Sequence, residues 1–71
     1  MNYEQVVAAL AYAASHERTV RIVTTGRQEI VGVPTSVDTH PTAHEVYLLP
    51  PGDEETEIAL SLGEVAGVEL L

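Results

Sequence analysis

The run EIVGVPTSV, Glu29 to Val37, constrains this chain more than any other stretch, because Gly32 and Pro34 sit inside a segment that otherwise reads as β-strand. A glycine within a strand marks a bend or bulge, and a proline is excluded from a regular central ladder. The segment is therefore expected to form one long, sharply bent strand with Gly32 at the bend. Everything else in the chain has to be arranged around that bend.

Upstream, Asn2 followed by Gln5 at the third helical position is a capping-box pattern, and Glu4 suits the positive end of the helix dipole. Tyr3, Val6, Val7, Leu10, Ala13 and Ala14 recur at three- and four-residue spacing, which predicts an amphipathic helix over about 3–15. A helix of that length is marginal alone in water, so its stripe must pack on the strands that follow. From Thr19 the period changes to two, with Val20, Ile22 and Thr24 on one face of a first strand. The bent strand follows. Asp38 to Ala43 is a polar loop, His44 to Leu49 a third strand with Val46 and Leu48 inward, and Pro50 to Asp53 a turn. Glu54 to Leu62 is expected to be the fourth strand, Gly63 to Ala66 a short helical turn, and Gly67 to Leu71 the fifth strand. The expected core comprises Val20, Ile22, Ile30, Val46, Leu48, Ile58, Leu60 and Val68, with Tyr3 or Tyr12 available to enlarge it.

The fold class that follows is mainly β. An N-terminal α-helix precedes a five-stranded, strongly bent antiparallel small barrel of SH3-like or Sm-like type, a single domain over 1–71 with its strands within 18–71. A domain of 71 residues has little core to spare, and this one contains no Phe, Trp or Cys. With no disulfide or zinc-finger pattern available, homo-oligomerisation through strand edges is the expected supplement. No apolar run is long enough for a spanning helix and no secretory leader pattern precedes the first helix, so a cytoplasmic protein without a membrane role is expected.

Eleven acids against three arginines and no lysine give a formal charge of -8, which opposes phosphate backbones. The arginines, Arg18, Arg21 and Arg27, cluster early, and the chain beyond Arg27 is acidic or neutral. The acidic half has two readings: a solvated face that maintains solubility, or a docking surface for a basic partner or for the arginines of a second copy. On the second reading the partner-binding residues are Glu45 and Tyr47 on the third strand and Asp53, Glu54, Glu55 and Glu57 in the turn beyond it. No nucleophile elbow, phosphate loop or dinucleotide fingerprint is present, so neither an enzyme nor a cofactor is expected. His40 and His44, flanked by Asp38 and Glu45, have the residue types of a metal set. Pro41 opposes the helical turn that would converge them, and ordinary loop polarity with no metal is the expectation.

The order of elements, together with Gly26-Arg27 and the spacing Gly32-x5-Asp38-x-His40, resembles the Sm-like (LSm) superfamily. The resemblance implies that Asp38 matches a loop aspartate of that family and that His40 stands where a base would stack. Pro41, Thr42 and Ala43 occupy the place of the family's recognition asparagine, and Leu62-Gly63 that of its Arg-Gly pair. Those departures, with the charge, make RNA binding the alternative and not the leading expectation. The layout is also similar to that of small acidic Sm-like inhibitors of the transcription terminator Rho, which cover their target's RNA site. Two functions follow as expectations: a non-enzymatic, oligomeric interaction or regulatory module presenting an acidic surface to a basic protein, or a divergent Sm-like RNA-binding ring.

Overall fold

The computed structural model describes every residue from Met1 to Leu71. Helix α1 spans Tyr3–Ser15, and strands β1 Val20–Thr24, β2 Glu29–Asp38, β3 Glu45–Leu49, β4 Ile58–Ser61 and β5 Val65–Leu70 follow, with a single 3-10 turn at Leu62–Glu64 before β5. The protein is thus mainly β, an N-terminal helix followed by a five-stranded antiparallel sheet in the order β4-β3-β2-β1-β5. Because β4 and β5 do not pair, the sheet is bent but open, and hydrogen bonds do not close it into a barrel.

The helix begins as its sequence dictates. The Gln5 N–H donates to Asn2 Oδ1 at 2.8 Å and the Asn2 N–H to Gln5 Oε1 at 3.0 Å, so two of the orphan donors of the first turn are satisfied. At the other end the Arg18 N–H reaches back to the Ala13 carbonyl at 2.9 Å, and Glu17 adopts a left-handed φ of 51°. This is the helix-ending geometry that ordinarily employs glycine. Val6, Leu10 and Ala13 face inward, and the helix lies against β2 and β5.

Strand β2 serves two partners. Glu29 to Gly32 pair with β1, whereas Val33 to Asp38 pair with β3, so the partner changes immediately after Gly32. At that point the strand passes so near β3 that a Cβ on Gly32 would lie 2.7 Å from the Leu49 carbonyl oxygen and 2.8 Å from Leu48 Cδ1. The glycine is a steric requirement of the bend. Pro34 is buried beside it, and a register shift between Pro34 and Ser36 leaves Thr35 bulged, which is how the sheet tolerates a proline so near its middle.

The core consists of Val6, Leu10, Ala13, Val20, Ile22, Val46, Leu48, Leu60, Leu62 and Val65. Ile30, Ile58 and Val68 pack against it from the rim, half-buried. Both helix tyrosines depart from expectation, since Tyr3 and Tyr12 remain 47% and 46% exposed. Each stacks instead on a histidine, Tyr3 on His44 with ring centroids 5.2 Å apart and Tyr12 on His16 at 4.2 Å. A core built around the Val6-Leu10-Ala13 line leaves no inward place for them.

The later element boundaries also differ. The fourth strand starts at Ile58 and not at Glu54, because Asp53 Oδ1 accepts from the Glu55 and Thr56 N–H groups at 3.0 and 3.1 Å and holds those residues in a turn. The fifth begins at Val65, which pairs with Thr24 across a register shift.

The Gly26-Arg27 turn contains a second surprise. Arg27, not Gly26, takes the left-handed conformation, with φ 64°. Arg27→Gly is expected to raise the melting midpoint by about 2–6 °C, the net of relieved left-handed strain and the extra freedom of glycine in the unfolded chain. Thermal circular dichroism measures it, and a lowered midpoint would mean that the Arg27 side chain contributes more than its backbone strain costs.

Candidate functional site

Alternation along β3 places Val46 and Leu48 inside and Glu45 and Tyr47 on the outer face, half-buried. Tyr47 lies opposite Ser36 on β2 and Ala59 on β4, while Glu45 lies opposite Asp38 and Ser61. Glu57 joins the group from the residue before β4, its Oε2 accepting from the Thr35 hydroxyl at 3.2 Å, and that hydroxyl also lies 3.2 Å from the Tyr47 carbonyl oxygen. The bulge at Thr35 therefore ties β2 to both β3 and the approach to β4. Glu45 above all, then desolvation, then Asp38 and Glu57 push the Tyr47 phenol above its ordinary value of 10.0.

That shift makes the acidic face measurable. In an ultraviolet titration Tyr47 is expected to ionise above 10.0, and Glu45→Gln should move its midpoint back toward that value, since the carboxylate that raises it most is gone. The raised value means that the folded state favours the neutral phenol, so the associated stability is intact below pH 10 and is lost as pH rises through the folded midpoint. An unmoved midpoint in Glu45→Gln would separate Tyr47 from this carboxylate cluster.

Of the turn acids, Glu54, Glu55 and Glu57 are exposed. Asp53 differs, because its carboxylate is occupied in holding the loop. The Glu55 N–H foremost, then the Thr56 hydroxyl and N–H, hold its carboxyl below the ordinary value of 3.8. Its contribution is complete above that value and disappears as pH falls through the lower folded one.

Asp38 and His40 are arranged by local geometry. Asp38 Oδ1 accepts from the His40 N–H at 2.9 Å, an Asx turn, and His40 Nδ1 lies 2.7 Å from the Thr42 hydroxyl. His44 is turned the other way, onto Tyr3. The two histidines thus have separate partners, and no three His, Asp or Glu side chains are grouped to hold a metal ion.

The arginines stand apart from this face. Arg21, on the outer side of β1, bridges Glu69 of β5 at 2.9 Å and Glu29 of β2 at 3.6 Å. Arg18 donates to the Leu71 carbonyl at 3.0 Å. Neither pairs with Glu45, Glu57 or the turn acids.

A further feature was not legible in the sequence. The end of α1 and the β3-β4 turn enclose an open groove of about 690 Å³, lined by Val33, Leu49 and Pro50 together with Glu17, Asp53 and Glu54. Glu17 and the turn acids are far apart in sequence.

No helix is long and apolar enough to cross a membrane. No protein-family model matches the sequence, and searches of the curated proteins and of the solved structures return no significant match.

Proposed function

We propose that this protein is a non-enzymatic, self-associating interaction module, Sm-like in layout, that presents an acidic surface to a basic protein partner. The observation that carries the reading is charge segregation. Asp38, Glu45 and Glu57 gather around Tyr47, Glu54 and Glu55 stand exposed in the turn between β3 and β4, and none of these carboxylates pairs with an arginine. A surface with carboxylates and an amphipathic aromatic, unneutralised from within, suits a cationic protein surface and repels nucleic acid. Self-association is supported by the free edge of β4, which offers unpaired backbone groups for strand addition between copies, whereas the outer edge of β5 is partly taken up by Met1 at Ala66 and Val68.

Two measurements test the reading. Labelled oligo-U and oligo-A RNA titrated at low salt, where phosphate contacts are strongest, should show no binding, and micromolar or tighter affinity would favour the RNA-binding alternative through Asp38 and His40. Light scattering should report an assembly larger than one chain, and a monomer at micromolar concentration would remove the self-association.

A further inference from the structure

We infer that the groove between the end of α1 and the β3-β4 turn is the recognition cleft for an arginine-containing segment of another protein. The inference rests on the acidic-module reading above and locates its specificity in residues outside the outer face of β3. Two properties of the groove select this occupant. Its lining includes the half-buried Val33, Leu49 and Pro50, a surface for an aliphatic stem, and rim carboxylates from Glu17, Asp53 and Glu54, the first and last of them exposed, with no cationic residue among the lining groups. Arginine combines such a stem with a forked donor that matches carboxylates, and desolvation against those apolar residues strengthens the pairing. A hydrophobic segment would leave the rim carboxylates unmatched, and an acidic one would be repelled.

The position of Glu17 adds to this. Its backbone adopts a conformation that glycine would take with less strain, yet the residue there supplies one of the three rim carboxylates. Asp53, whose Oδ1 is committed to the Glu55 and Thr56 N–H groups, holds the opposite rim in place and so positions Glu54.

The probe is a fluorescein-labelled peptide alternating arginine and alanine, titrated at low ionic strength against the wild type and the single-charge variants Glu17→Gln, Glu54→Gln and Glu64→Gln. Glu64 is exposed and lies outside the groove, so its variant measures the effect of net charge alone. Glu17→Gln and Glu54→Gln should each weaken binding roughly five- to tenfold, and Glu64→Gln less than about twofold. Replacing each peptide arginine by 2-amino-3-guanidinopropionic acid, which keeps the guanidinium charge and shortens the stem, should weaken binding as much as a rim variant. Glu17→Gly provides a check against unfolding, since its melting midpoint should hold or rise while binding falls.

If the peptide binds but all three Gln variants weaken it equally, the groove assignment fails and the acidic-module reading stands. Absence of binding to the wild type overturns both. Sedimentation showing that Glu17→Gln or Glu54→Gln dissolves an assembly formed without peptide would assign the groove to a second copy of the chain, and would overturn the proposal as well.

Discussion

Gly32→Ala is expected to lower the melting midpoint by roughly 10–20 °C, from about 2–3 kcal/mol of overpacking in a domain of this size. The added methyl would meet the Leu49 carbonyl oxygen at 2.7 Å and Leu48 Cδ1 at 2.8 Å. Leu48 is fully buried and the Leu49 oxygen belongs to the backbone of a paired strand, so neither can yield without disturbing the β2-β3 ladder. A total stability of roughly 0.05–0.15 kcal/mol per residue makes such a loss a large fraction of what holds the fold together. Gly32→Val should leave no cooperative transition by circular dichroism. An Ala variant that melts within about 2 °C of the wild type would show that the bend has another cause.

The second large effect is expected at Leu10. Its side chain is completely buried in a core that lacks phenylalanine and tryptophan, and it is the central contact of the Val6-Leu10-Ala13 line that holds α1 to the sheet. Leu10→Ala should cost about 3 kcal/mol, within the roughly 2–5 kcal/mol found for buried leucines, with urea denaturation as the measurement. Tyr12→Ala, two residues on, is the internal control. Tyr12 is nearly half exposed and stacks only on His16, so its loss should stay within about 0.5 kcal/mol. Equal losses at the two positions would mean that the helix is held by its outer surface and not by its buried line.

These residues differ in how directly the sequence announces them. Asn2, Gln5, Val6 and Leu10 act within one helix, where capping and a 3.6-residue period are local properties, so the helix was legible to its ends. Gly32 was legible for a related reason, since a glycine inside a β-branched run ordinarily marks a bend or a close backbone approach. Glu45 and Tyr47 followed from the alternation that buries Val46 and Leu48. Where the structure departs from expectation, the deciding contact lies elsewhere in the chain or in a side chain that displaces the backbone ladder. Asp53 shortens β4 by capping Glu55 and Thr56, and Val65 joins β5 early through its pairing with Thr24. The tyrosines point outward because the sheet leaves room only for smaller residues. The groove depends on bringing Glu17 to the β3-β4 turn, a proximity that no periodicity encodes.

The position of β5 in the sheet also bears on how the chain reaches its native state. Strands β1, β2, β3 and β4 form a meander whose neighbours are consecutive in sequence, whereas β5 must return to pair with β1. The Arg21-Glu69 contact spans 48 positions, and closing a loop of that length costs roughly 3 kcal/mol of chain entropy before any pairing compensates it. Assembly should therefore proceed with the meander forming early and β5 docking late. Substitutions in the buried part of β5, Val65 foremost, are then expected to accelerate unfolding while leaving the refolding arm of the chevron nearly unchanged, and substitutions at the β2-β3 crossing to slow refolding.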